Sequence, residues 1–387
     1  MYYLNVISAV LTFATSSAVS QTAGGGGGSG CKFAGVNIAG FDFGRDSAGP
    51  TNGAEQMAHF VNDDKQNIFR LPVEWDYVTD TSGGPLNQAK FQKYDQLMQA
   101  CLQFGAYCIL DIHSYARYNL DGTNGAVVGQ GGPPISDLVN TWTQLAKFYA
   151  SQEKVVMAIM NEPHDLDVNI WSQTVQQCVT AIRQAGATSQ MILLPGSSWA
   201  SAGDFFGGGG GDLLMQVTNP GGGTENLIFD FHNYFNAPGS SNPECINNGI
   251  TNAWQPPLET LRSAKRQAMI TELGGGGTAQ SCLTNVCAGL DFLNQNSDVY
   301  LGWTAWSAGA FDASYVMSVL DASGNDVPLM KQCFVAKSYG GGSPGTITPT
   351  NGTSSGSPGS PQGNSSTGGY LPPPSYVQRT RFARRRS

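Results

Sequence analysis

The stretch Val155-Val156-Met157-Ala158-Ile159-Met160-Asn161-Glu162-Pro163-His164 decides how the chain is read. Its first six residues are apolar without a break, which is too apolar for a surface helix. A strand buried on both faces reads this way, as a continuous run rather than an alternation. The run stops at Asn161, and a carboxylate and an imidazole follow at once. Groups of that kind are expected where a buried strand hands over to a loop.

Seven more runs of the same kind occur, at 33–39, 68–73, 107–113, 191–195, 227–232, 268–272 and 299–306, giving eight with 155–160. Helical patterns fill several of the gaps, among them 89–104, 135–150, 170–184 and 257–265. Strands that alternate with helices make a parallel sheet, and eight such units fit a closed (β/α)8 TIM barrel of the α/β class better than a doubly wound sheet. The glycine runs at 207–211, 221–223 and 274–277 lack the spacing of a dinucleotide fingerprint and read as surface loops.

Around this body the composition changes. Residues 4–14 are apolar and are followed by small residues at Ser16, Ser17, Ala18 and Ser20, so 1–20 reads as a signal peptide. A Gly-rich linker covers 21–30, the folded barrel is expected over 31–337, and 338–387 reads as a disordered linker rich in Ser, Gly, Pro and Thr with a basic tail. Asn351 and Asn364 open glycosylation triplets in that tail. The chain is expected to be secreted, extracellular and monomeric, and no apolar run is long enough for a membrane span.

Five of the 20 basic residues, Arg379, Arg381, Arg384, Arg385 and Arg386, fall at the C-terminal end, so the body is more acidic than the net charge of −8 suggests. Such a surface disfavours nucleic acid and suits a neutral substrate. Eight cysteines without a CxxC pair and only four histidines argue against a zinc site, and neither a metal nor a cofactor is expected. An even cysteine count behind an export signal reads as disulfides.

In a barrel of this kind chemistry sits at the C-terminal ends of the strands. Those ends carry Phe69-Arg70-Leu71-Pro72-Val73-Glu74-Trp75, Asp111-Ile112-His113-Ser114, Asn161-Glu162-Pro163, Asp230-Phe231-His232-Asn233-Tyr234, Thr271-Glu272-Leu273-Gly274 and Trp303-Thr304-Ala305-Trp306. Glu162 and Glu272 stand out because each closely follows an apolar run, on the fourth and seventh strands, across the barrel mouth from one another. A glycosidic bond needs such a pair, one acid to protonate the leaving oxygen and one carboxylate to attack the anomeric carbon. A single glutamate is more often a surface ion pair, and a lone histidine more often a core or surface residue. The company these residues keep decides otherwise.

That ordered set of strings, with Gly35-Val36-Asn37-Ile38-Ala39-Gly40-Phe41-Asp42 and His59-Phe60-Val61-Asn62-Asp63-Asp64, resembles glycoside hydrolase family 5, and more narrowly its fungal type-II endoglucanases. The resemblance implies a retaining endo-β-1,4-glucanase, a cellulase, acting on cellulose and soluble β-glucans, with Glu162 as acid/base and Glu272 as nucleophile. It implies that Arg70 orients the nucleophile, that Asn161 bonds the sugar 2-OH, and that His113 occupies the third-strand position. His232 and Tyr234 would poise acid and nucleophile, and Trp306 would floor the cleavage point. Trp75 is a candidate sugar platform only because it lies just past the second strand, whereas Trp199 and Trp303 read as core aromatics. Implied disulfides are Cys101 with Cys108, Cys245 with Cys282, and Cys287 with Cys333; Cys31 and Cys178 remain, either paired with each other or, as favoured here, buried as free thiols.

The sequence departs from the family at Glu74, Ser114 and Asn233-Tyr234-Phe235-Asn236, in a shorter loop after Gly44, and in lacking a cellulose-binding module, which suggests weaker action on crystalline cellulose. Alternative readings are a hydrolase of mannan, xyloglucan or mixed-linkage glucan on the same barrel, or a non-catalytic glycan-binding wall protein.

Overall fold

A computed structural model describes residues 30–43, 53–118, 125–236, 242–312 and 314–341. The expected signal peptide, most of the Gly-rich linker, the loop after Gly44, the glycosylation triplets and the basic tail lie outside the described residues.

Eight strands close into a parallel barrel: β1 (Phe33–Ala39), β2 (Ile68–Val73), β3 (Tyr107–Ile112), β4 (Val155–Ala158), β5 (Ile192–Pro195), β6 (Leu227–Tyr234), β7 (Ala268–Gly274) and β8 (Tyr300–Gly309), with β8 pairing back onto β1. The helices are α1 (Gly53–Asn62), α2 (Trp75–Val78), α3 (Gln88–Gln103), α4 (Ile135–Phe148), α5 (Val168–Gln184), α6 (Gly211–Leu214), α7 (Gln255–Ser263) and α8 (Gln280–Gln295). No helix among the described residues is long and apolar enough to cross a membrane.

The parity of the strands explains both the apolar runs and the position of the site. One buried cluster holds Phe33, Ile68, Ile109, Val156, Ala158, Leu193, Ile228, Met269 and Leu301, one or two residues from each strand. These fill the barrel interior. Their neighbours in sequence, such as Leu110, Val155, Met157 and Leu194, pack in a second cluster with helix residues including Trp142 and Trp171. Side chains along a strand alternate between faces. Stepping by two from the interior plug toward the C-terminal ends therefore gives Asn37 on β1, Arg70 on β2, Asp111 on β3 and Asp230 and His232 on β6. The interior is thus apolar at one level and charged at the level above.

The outer layer fixes the strand ends. The indole of Trp142 on α4 donates to the carbonyl of Ile159 at 3.0 Å, and that of Trp171 on α5 donates to the carbonyl of Pro195 at 2.9 Å. Each bond satisfies a buried donor and pins a helix to the point where a strand becomes a loop. Asn87 and Asp167 cap α3 and α5 by accepting from the backbone N–H of Lys90 and Asn169.

Three disulfides join Cys101 to Cys108, Cys245 to Cys282 and Cys287 to Cys333, and Cys31 and Cys178 are buried free thiols. The strands differ from the sequence reading mainly at their C-terminal ends. β4 stops at Ala158, before the run of apolar residues ends, while β6 continues to Tyr234 and β8 to Gly309.

Candidate active site

Glu272 lies within β7, where parity alone would align Thr271, not Glu272, with Met269. The β6–β7 register shifts between Phe231 and His232, so that His232 pairs with Glu272. An irregularity of this kind re-aims a side chain. Here it turns the carboxylate of Glu272 toward the charged level of the barrel. Glu162 reaches the same place by another route, four residues past the end of β4 and in the left-handed region at φ 41°. Tyr115, Ala116, Ser198, Trp199 and Ala200 share that unusual conformation on the loops after β3 and β5. Backbone strain on this scale persists only where the surroundings enforce it, and it concentrates at functional sites.

Arg70 is fully buried and holds the centre together. Its Nη1 donates to Glu272 Oε1 at 2.5 Å and to Asn37 Oδ1 at 3.0 Å. Its Nη2 donates to Asn161 Oδ1 at 2.7 Å and faces Asp111 Oδ2 at 3.0 Å. Asn37 is oriented in turn by donating from Nδ2 to the carbonyls of Thr271, Thr304 and Ala305. The other oxygen of Glu272, Oε2, accepts from the Tyr234 hydroxyl at 2.6 Å and lies 3.5 Å from His232 Nδ1. Burial by itself would raise the pKa of Glu272, but the charges of His232, Arg70 and His113 and the Tyr234 hydrogen bond bring it down to about 2. A carboxylate so held stays ionised at any ordinary pH.

The surroundings of Glu162 differ. Its side chain is 17% exposed, against 4% for Glu272, and Oε1 sits 2.9 Å from His232 Nδ1. Thr271 Oγ1 donates to Asp230, so the 3.1 Å contact between that hydroxyl and His232 Nε2 requires Nε2 to carry a proton. His232 Nδ1 then faces both carboxylates, Glu162 Oε1 at 2.9 Å and Glu272 Oε2 at 3.5 Å, with Glu162 the nearer. Burial would lower the pKa of His232, yet Glu272 and Glu162 raise it to about 8. One oxygen of Glu162 and one of Glu272 lie within 4.8 Å of each other, with a His232 ring nitrogen in the same group.

Above the carboxylates, His113 bridges Asp111 at Nδ1 (2.8 Å) and Asn161 Nδ2 at Nε2 (3.1 Å), and its ring stacks on Trp306 at 5.7 Å and 15°. The Trp306 indole donates to the Tyr315 hydroxyl at 3.2 Å, which fixes the plane of the ring.

Residues 27–309 match the cellulase family, glycosyl hydrolase family 5. The chain belongs to that family. Endoglucanase EG-II of Hypocrea jecorina is 49% identical to this family 5 chain over 334 residues, covering 80% of it and 78% of the relative. The crystal structure of Cel5A (EG2) from the same organism, also called Trichoderma reesei, has a TM-score of 0.73 at 47% identity, covering 79% of this chain and 98% of that one. A high-resolution structure of XacCel5A in complex with cellopentaose has a TM-score of 0.71 at 28% identity, covering 80% and 99%.

Within this family 5 barrel, eight of the residues singled out from sequence converge: Arg70, His113, Asn161, Glu162, His232, Tyr234, Glu272 and Trp306. Trp75 is a correction. It has no exposed ring surface, its indole donates to Thr141 Oγ1 at 2.8 Å, and its ring meets Tyr118 edge-on, so it is a core residue rather than a sugar platform. Lying just past a strand did not decide its fate, because α2 begins at Trp75 and folds the indole inward. Trp199, which reads as core from sequence, is 49% exposed and stacks flat on His164 at 4.6 Å and 8°. Its backbone N–H donates to Pro163 O, which sets it beside Glu162. Asn37 and Asp111 were not singled out either. Asp111 stands two residues beyond the interior plug and Asn37 four, each on the inward-facing parity of its strand, a signal visible once strand parity is written down.

Proposed function

We propose that this chain is a secreted endo-β-1,4-glucanase that cleaves internal bonds of cellulose and soluble β-glucans with retention of anomeric configuration. The observation that carries the reading is the pair of carboxylates within 4.8 Å in unequal surroundings. Retaining enzymes hold their carboxyls about 5 to 5.5 Å apart, whereas inverting ones leave about 6.5 to 9.5 Å for a water. Glu272, ionised and gripped at both oxygens, attacks the anomeric carbon. Glu162, 2.9 Å from His232 Nδ1, gives a proton to the leaving glycosidic oxygen as the C–O bond breaks. In the second half Glu162 takes a proton from water, the water oxygen attacks the anomeric carbon, and Glu272 leaves as a carboxylate.

The remaining residues have supporting roles. Asn161 has its carbonyl engaged by Arg70 and an amide N–H free to meet the sugar 2-OH. Trp306, stiffened by His113 and Tyr315, offers a flat apolar floor, and Trp199 offers a second platform beside Glu162. The β-glucan substrate follows from kinship with Endoglucanase EG-II and with XacCel5A, whose structure holds cellopentaose. Secretion fits three disulfides and the apolar leader over 4–14. A monomer suffices, since one chain supplies every group named above.

Purified protein should release reducing ends from carboxymethylcellulose, and Glu162→Gln and Glu272→Gln should each abolish the release. Full activity in either variant, or turnover of mannan or xyloglucan in place of β-1,4-glucan, would overturn the assignment. A glycan-binding protein without turnover would retain glucan in affinity electrophoresis yet release nothing.

A further inference from the structure

Away from the catalytic carboxylates, the C-terminal end of α1 meets the segment that follows β8. His59 lies in the last turn of α1, Asp63 and Asp64 follow it, and Asp326 comes from the loop beyond β8. His59 Nδ1 contacts Asp63 Oδ2 at 2.8 Å, while Nε2 contacts Asp326 Oδ1 at 2.9 Å and lies 3.7 Å from Asp64 Oδ2. Ligand atoms of His59, Asp64 and Asp326 all lie within 4.8 Å of one another.

An ion network alone leaves this arrangement incomplete. The single proton that Nε2 can carry satisfies Asp326, and Asp64 is left over. Asp64 is only 8% exposed, and its Oδ2, the atom turned toward His59, is buried with no hydrogen-bond partner. A buried carboxylate oxygen without a donor is unfavourable, and His59, whose two ring nitrogens already face Asp63 and Asp326, lies too far from Asp64 Oδ2 to give it a hydrogen bond. The contact of Asp63 with Nδ1 is the arrangement seen behind metal-bound imidazoles, where a carboxylate accepts from one ring nitrogen and leaves the other as a lone pair for the ion.

We propose that His59 Nε2, Asp64 Oδ2 and Asp326 Oδ1 bind one divalent cation, with Asp63 orienting the imidazole. One nitrogen and two carboxylate oxygens, with further positions open to water, suit a first-row ion such as Mn2+ or Zn2+. The sequence reading expects no metal because it weighs cysteine and histidine spacing. This site needs a single histidine and two carboxylates 262 positions apart in the numbering, at Asp64 and Asp326. The ion would clamp the first helix of the barrel to the segment after its last strand, raising stability without entering the reaction.

Mn2+ is a suitable probe because its free form is read by electron paramagnetic resonance. Titration of the full-length chain should show one saturable ion and a rise in Tm that saturates with it. Asp64→Asn and Asp326→Asn should lose both responses while keeping activity on soluble glucan. Should these variants fold poorly, pulsed spectroscopy of the unmodified chain provides a second route: 14N modulation from one bound imidazole is expected, and it should persist in Glu162→Gln. The proposal is overturned if no ion binds, if binding survives in Asp64→Asn and Asp326→Asn, or if the 14N signal vanishes in Glu162→Gln, since the ion would then sit between Glu162, His232 and Glu272.

Discussion

Replacing Tyr234 by Phe removes one hydroxyl and leaves the ring. In the structure that hydroxyl donates to Glu272 Oε2 at 2.6 Å, one of the contacts that hold the proposed nucleophile ionised at a pKa of about 2. A hydrogen bond to a charged group contributes about 1.5 to 3 kcal/mol. At about 1.4 kcal/mol per unit, its loss should raise the pKa of Glu272 by roughly 1 to 2 units. The carboxylate would then titrate near pH 3 to 4, still below the working range, with Arg70 on its other oxygen. The acid limb of the kcat/KM profile reports this group in the free enzyme. It should therefore move to higher pH in Tyr234→Phe by that amount, while the alkaline limb, which follows loss of a proton from His232 at about 8, stays in place. Stability should follow the same sign. A carboxyl depressed below its unfolded value stabilises the fold above about pH 4.3 and loses that contribution as pH falls toward 2, so the variant should begin to lose stability at a higher pH than the parent. Initial rates on a soluble cello-oligosaccharide between pH 2 and 8, beside Tm at each pH, test this. An acid limb unmoved in a folded variant would refute the role given to Tyr234.

The two tryptophans that exchange roles between sequence and structure give a paired test. Trp199→Ala should raise KM on long glucans by roughly 2- to 10-fold, since a stacking contact contributes about 0.5 to 1.5 kcal/mol, with Tm unchanged. Trp75→Ala should lower stability by about 3 to 5 kcal/mol, as expected of a large buried aromatic, and chemical denaturation with glucan-binding measurements separates the two. Glu74 is buried, and burial together with Asp76 and Asp42 raises its carboxyl to about 9. Its contribution is therefore intact below the ordinary value near 4.3 and is lost as pH rises toward 9. Glu74→Gln should gain in Tm over the parent progressively between pH 5 and 9, and parallel Tm curves would contradict this.

The barrel was legible because each strand is buried on both faces and so prints an unbroken apolar run. Its ends were less so. Met160 continues the apolar run after β4 has ended at Ala158, because Ile159 and Met160 stay buried in the turn that carries Glu162. The polar tail of β6 hides two further strand residues, Asn233 and Tyr234. Most of the proposed site is legible because the residues to which we assign the chemistry fall at strand ends, and the structure brings them together there. Asn37 and Asp111 escaped, since their roles depend on which face of the strand they share with the interior plug. Trp75 and Trp199 were misjudged for a related reason. Whether an indole meets solvent depends on how the following loop turns, and neither composition nor spacing records that. The pairing of Asp64 with Asp326 is a contact between the first and last units of a closed sheet, and closure is what brings it about.

Proton NMR of the first product released from a soluble cello-oligosaccharide tests the central claim most directly, because the separation of Glu162 and Glu272 within 4.8 Å commits the reaction to one stereochemical course. The β-anomer should appear first at the new reducing end, with the α-anomer growing in only by mutarotation. The α-anomer appearing first would mean that water attacks the sugar directly and that Glu272 is not a nucleophile.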